Sequence, residues 1–323
     1  MAHDIRHCFR LFPAGRILRA ASVHGRIETP QRDSARSPLG PLNPGDVKGL
    51  KDPEVGKKLA KKPLVEALVE IRWELVPNPE VVGLRRDPAY PLFLGPLQAR
   101  ARGAYPHVER LPAASIPDEA SPHVVKFRFR KSEGGWPLIQ AGPGIATLNF
   151  TDSYDWDAFL AAAREFFSNV CDSYIDAGPP IQGSATGPRF TSVLLRYINA
   201  YDADVDRSSV FALLKKKFNA GIELPKGMSD APNGSLPPSD FQLKVSYRLE
   251  APRGTGTLSM GLGKRSDRPA LIWELSTQSE NDEAPQNVTG FEEWLQGAHE
   301  VMESWFFSLV HGELEAEFLP SGE

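Results

Sequence analysis

The sequence predicts an α+β protein of two pseudo-repeated β-α-β-β-β-α modules, with mainly antiparallel sheet and covering helices. Two observations carry this reading. First, Val69-Glu70-Ile71-Arg72-Trp73 returns in type as Val193-Leu194-Leu195-Arg196-Tyr197, and Trp156-Asp157-Ala158-Phe159-Leu160 returns as Phe291-Glu292-Glu293-Trp294-Leu295, with Ala163 and Glu165 in step with Ala298 and Glu300. Self-similarity within a chain is the mark of a duplicated unit. Second, each half carries three consecutive short apolar runs separated by Gly, Pro or polar residues and then one long amphipathic stretch. That order suits an antiparallel meander with a helix laid across it.

The folded part opens at Pro63. From Val65 to Leu75 the odd positions are apolar while Glu66, Glu70, Arg72 and Glu74 share the even face, a period of two that defines a half-buried strand. A Pro-broken, partly helical stretch follows from Pro79 to Arg110. Strands are predicted over Val124–Lys131, Pro137–Ala141 and Gly144–Phe150, with Gly134-Gly135 and Gly142-Pro143-Gly144 as turns, and a helix over Tyr154–Tyr174. The second half repeats the order: strand Arg189–Tyr201, helix Ser208–Phe218, strands Ser239–Glu250, Thr255–Lys264 and Ala270–Thr277, helix Thr289–Val310. The modules are thus 63–178 and 188–315, with a hinge at Gly178–Pro188, a polar loop at Gly227–Pro238 and a tail at 316–323; their sheets either pack together or form one continuous sheet.

Residues 1–62 hold 13 Lys and Arg against 6 Asp and Glu and are rich in Pro, Gly and Ser, so they read as a flexible basic N-terminal extension or an upstream start. The whole chain has a net charge of -4, which argues against a surface given over to nucleic acid. Cys8 and Cys171 are too few for a disulfide framework and lack zinc-site spacing. No membrane partner is expected, because no apolar run reaches the length of a membrane-spanning helix. A reducing cytoplasm is the predicted setting.

Pro63-Leu64-Val65-Glu66-Ala67-Leu68-Val69-Glu70-Ile71-Arg72, Leu138-Ile139-Gln140 and Leu195-Arg196-Tyr197-Ile198-Asn199 together resemble a sporadically distributed family of uncharacterised prokaryotic proteins. That family opens on P-[LIV]-V-E-A-[LIV]-x-E-[IL]-R and continues through L-[IL]-Q and L-R-Y-[IV]-N segments. The resemblance spans Pro63 to His311 and implies a cytoplasmic prokaryotic protein without supplying a mechanism.

Arg72 and Arg196 occupy equivalent strand positions, and a guanidinium among apolar neighbours needs a carboxylate or carbonyls to offset its desolvation. Either Glu66 and Glu70 pair with them structurally, or the two arginines, with Tyr197, Asn199 and Gln140, anchor an anionic ligand between the modules. Lys126, Arg128 and Arg130 form one basic row and Lys244 and Arg248 another, suited to a solvated face, an acidic partner or phosphates. Gly261-Leu262-Gly263-Lys264-Arg265-Ser266 lacks the first Gly of a phosphate loop, and His299-Glu300-Val301-Met302-Glu303 lacks the second His of a metalloprotease helix. Asp152, Asp155 and Asp157 precede a helix and read as its cap. No catalytic set, metal site or cofactor is predicted. The leading expectation is a non-catalytic protein-binding or regulatory component; a small anionic-ligand receptor and a nucleic-acid binder acting through the basic rows stand behind it.

Overall fold

The computed structural model describes residues 59–151, 154–178, 187–202, 210–223, 225 and 240–320. The predicted basic extension up to residue 58, Asp152, most of the 178–188 hinge and the 227–238 loop lie outside the described residues. The first half contains β1 (Leu64–Trp73), a two-strand ribbon of β2 (Val76–Pro77) and β3 (Arg85–Arg86), α1 (Tyr90–Ala101), β4 (His107–Arg110), β5 (Phe127–Arg130), β6 (Leu138–Gly142), β7 (Ile145–Phe150) and α2 (Trp156–Ala177). The second contains β8 (Phe190–Asp202), α3 (Val210–Lys217), β9 (Gln242–Glu250), β10 (Arg253–Arg265), β11 (Arg268–Glu280), α4 (Val288–Val310) and α5 (Glu313–Phe318). The 315/316 boundary drawn from sequence falls inside α5, whose Leu314 and Phe318 are buried.

Of the two arrangements open to the sequence, the protein adopts one continuous sheet. It has nine strands in the order β4-β5-β6-β7-β1-β8-β11-β10-β9, and every pairing is antiparallel. The halves meet at β1 and β8, where Val69 lies opposite Leu195 and Glu70 opposite Leu194. On each side the strand that closes the meander, β7 or β11, lies next to the central pair.

Alternation assigns the two faces. Ala67, Val69, Ile71 and Trp73 of β1 point with Ala146 and Leu148 of β7, Val193 and Leu195 of β8 and Leu271, Trp273 and Leu275 of β11 into a single core drawn from both halves. The helices complete it. Helix α2 presents Phe159, Ala163, Phe166, Phe167, Val170 and Tyr174 at helical spacing, and α4 presents Phe291, Trp294, Leu295, Ala298 and Met302. The two pack on each other through the stacked rings of Phe167 and Phe291, 4.3 Å apart. Their N-termini are capped alike. The Asp155 carboxylate accepts the N–H of Ala158, as expected from sequence, and the Asn287 side chain accepts that of Gly290.

Buried Asp87 ties the first half together. Its carboxylate accepts the Trp73 indole N–H at 2.8 Å, the Gly144 N–H at 3.1 Å and the Ala89 N–H at 3.1 Å, joining β1, the β6–β7 turn and the start of α1. Burial raises its pKa, while these donors favour the charged form.

Two glycines of opposite standing test the packing. A Cβ at Gly142 would meet the Val124 carbonyl oxygen at 2.0 Å, whereas one at Gly297, inside α4, would meet Pro252 Cδ at 3.4 Å. Gly142→Ala is expected to lower unfolding free energy by about 1–3 kcal/mol through overpacking. Gly297→Ala is expected to be neutral or to raise it by up to about 1 kcal/mol through helix propensity. Chemical denaturation of the two variants beside the wild type checks both signs.

Candidate functional site

The sheet face opposite the core carries no α-helix among the described residues, and its even-numbered β1 positions lead a set of polar side chains. One cross-strand row runs over the whole sheet: Glu109, Arg128, Gln140, Thr147, Glu70, Leu194, Gln278, Thr255 and Arg248. Arg128 and Arg248, one from each of the basic rows singled out from sequence, therefore stand toward opposite ends of one row.

Side-chain hydrogen bonds connect this face laterally. Arg128 Nε donates to Gln140 Oε1 at 2.8 Å, and Gln140 Nε2 donates to Thr147 Oγ1 and Asn149 Oδ1, both at 3.1 Å. Thr147 Oγ1 in turn donates to Asn149 Oδ1 at 2.6 Å, and Asn149 Nδ2 donates to Glu66 Oε1 at 2.6 Å. Across the β1/β8 joint, Arg196 attracts Glu66 and lies with Nε 3.3 Å from Glu274 Oε1, an ion pair without hydrogen-bond alignment. Burial holds both Glu66 and Glu274 above their ordinary pKa of 4.5, and Arg196 opposes that shift in each. Arginine between the two partly buried acids thus offsets part of the desolvation that disfavours their charged forms.

The candidates named from sequence are distributed rather than gathered. Arg72, Arg196 and Gln140 share the open face. Tyr197 and Asn199 sit on the core face, because alternation sends successive residues of β8 to opposite sides; both are buried. Arg72 is held by Glu70 at 2.7 Å, one of the partners proposed from sequence, and Arg196 takes Glu274, which sequence reasoning did not name. In the first basic row Lys126, only 2% exposed, pairs with Asp118 at 2.5 Å, while Arg130 and Arg128 approach Glu109 at 2.9 and 3.7 Å. In the second, Arg248 pairs with Glu283.

Neither of two clefts found on the described residues is lined by Arg72 or Arg196. One, of about 580 Å³, lies on the open face beside β9, with Lys244, Ser246, Arg248, Thr255, Thr257 and Gln278 among its lining residues. The other, of about 370 Å³, lies between Lys61–Pro63, the end of β8 and Phe318. Among the described residues no group of three metal-binding side chains comes together, and no helix is long and apolar enough to cross a membrane.

A second polar cluster lies under the sheet, where sequence showed only a polar helix face around His299. Tyr154 and Tyr197 share a hydrogen bond between their hydroxyls at 2.8 Å, and Tyr197 Oη is 2.9 Å from His299 Nδ1. Trp156 stacks on the imidazole with ring centroids 3.7 Å apart. Burial lowers the His299 pKa to about 4 and raises those of both tyrosines. The cluster joins the start of α2 to β8 and α4, and its neutral imidazole suits packing. Cys171 is similarly quiet, its thiol pushed up to about 12 by burial.

No family model, curated protein or solved structure matches this chain.

His299 sets an acid limit on stability. Its pKa lies below the ordinary 6.5 in the folded state, so its contribution is present above pH 6.5 and is lost as pH falls toward 4. His299→Gln is expected to flatten the stability profile over that window by roughly 2 kcal/mol, allowing for partial solvent screening. Denaturant melts at successive pH values measure it.

Proposed function

We propose that the protein is a non-catalytic binding or regulatory component, cytoplasmic and prokaryotic as the family resemblance implies, that engages a protein partner through the open face of its sheet. The observation that carries this reading is the connected polar relay from Glu109 through Arg128, Gln140, Asn149 and Glu66 to Arg196 and Glu274. Such an array fixes donors and acceptors before a partner arrives, which lowers the ordering cost of association and favours specificity. The half-exposed Arg196 and Arg72 suit a partner's carboxylates, since arginine is the cation best fitted to polar interfaces. Supporting the non-catalytic reading, the Cys171 thiol is protonated at neutral pH and the His299 imidazole is committed to Tyr197 and Trp156.

The same proposal includes duplication of a β-α-β-β-β-α unit, although the first half carries a β2–β3 ribbon and a fourth meander strand, β4, that the second half lacks and the sequence did not predict. The sequence echo maps Arg72 onto Arg196, and the β1/β8 register pairs Arg72 with Ser192 and Arg196 with Leu68. Ser192 and Leu68 are themselves related by the same offset, so a twofold axis through the Glu70/Leu194 pair exchanges the two contacts. Phe159 and Trp294, and Ala163 and Ala298, matched in the echo, are all core residues of α2 and α4.

Native purification from source cells with chemical crosslinking tests the leading reading. A copurifying protein whose crosslinks map to open-face residues is expected, and Arg72→Gln, at the more exposed of the two arginines, should reduce its recovery at least about tenfold, with little change in thermal midpoint because an exposed ion pair contributes little to stability. Repeated recovery of the protein without a partner, or crosslinks confined to the helical side, would refute it.

A further inference from the structure

The sheet ends on two edges of different character. Strand β4 covers only His107–Arg110, whereas β9 runs nine residues, Gln242–Glu250, paired with β10 without a register break. Among the described residues no strand pairs with the outer side of β9. A long regular edge presents unpaired backbone donors and acceptors and is a template for another strand. At the middle of this edge Tyr247 is 56% exposed, its ring held edge-on by Trp305 at 5.5 Å.

We propose that β9 is a self-association edge, where two copies of the chain pair their β9 strands antiparallel about a twofold axis through Tyr247, extending the sheet through both molecules. The side chains select this occupant and this register. On the open face Lys244, Ser246, Arg248 and Glu250 follow one another, and on the core face Leu243, Val245, Tyr247 and Leu249. With the dyad at Tyr247, Lys244 of each copy faces Glu250 of the other, Ser246 faces Arg248, Val245 faces Leu249 and the two tyrosines meet. A dyad at Ser246 would instead set Lys244 against Arg248 twice, and one at Val245 would set Asp240 against Glu250 twice. A dyad at Lys244 or Arg248 sets that cation against itself. Of these, only the Tyr247 register brings opposite charges together without also setting like charges against each other, and opposite or like charges directly across a strand pair carry opposite signs of energy. The axis is perpendicular to the sheet, so both helical layers lie on the same side and Tyr247, Val245 and Leu249 of the two copies form one apolar strip flanked by the two Trp305 rings. The contact is isologous, as closed dimers require.

Charge exchange at the exposed pair tests the register without disturbing the core. The full-length protein is expected to sediment as a concentration-dependent dimer. Lys244→Glu alone and Glu250→Lys alone each place two like-charge pairs across the axis and are expected to weaken dimerisation about tenfold or more. The double variant carrying both substitutions restores the opposite charges and recovers most of the affinity. Each variant's thermal midpoint, measured as monomer, is expected to stay near the wild type. A protein that remains monomeric at high concentration, because another segment covers the edge or none does, overturns the proposal. So does a dimer insensitive to the single reversals, or one that the double variant fails to restore.

Discussion

The antiparallel pairing of β1 with β8 is the joint on which the molecule depends. It lies at the centre of the nine strands, and both of its members have a strand on each side, so neither half of the sheet has a closed core without the other. The core residues of β1, β8 and both long helices belong to one cluster. A charge network crosses the same joint on the opposite face, where Arg196 of β8 draws on Glu66 of β1 and Glu274 of β11. The joint therefore does two jobs with alternate residues: apolar side chains seal the helical side, and the other side carries the ionic network beside a smaller apolar cluster of Ala200, Ala270 and Ile272.

That division explains why candidate residues adjacent in sequence part company in space. Arg196 and Tyr197 are neighbours, yet one enters the open-face network and the other the cluster with Tyr154 and His299. The open face has the character of a recognition surface because its polar groups are already connected to one another. The cluster below has that of a rivet: it locks the start of α2 to α4 through a partly buried imidazole.

Part of the fold was legible in sequence because β1 is buried on one face only, while β6 and β7, buried almost throughout, were legible from the turn residues that bound them. Val65–Leu75 alternates cleanly, and the edges and turns of each meander are marked by Gly and Pro. What was not legible is which strands become neighbours. Glu274 follows Trp273 in an apolar run and nothing local announces that it serves Arg196; the pairing of β8 with β11 supplies that. The basic row Lys126, Arg128, Arg130 was readable, but its counterions Asp118 and Glu109 come from a segment without periodicity. His299 looked solvated because its helix neighbours are acidic, and only the approach of α2 to α4 brings Trp156 onto it.

The position of β1 also bears on how the chain is made. It is the first strand of the described fold to leave the ribosome, yet both of its neighbours, β7 and β8, are synthesised only after long intervening segments. Until then an amphipathic strand with a wholly apolar face waits in a nascent chain. Nonlocal pairing of this kind slows folding and leaves apolar surface open to wrong partners. In a protein built around so late a closure, the central strand of the sheet is the last part of its own neighbourhood to be covered, although it is the first to be made.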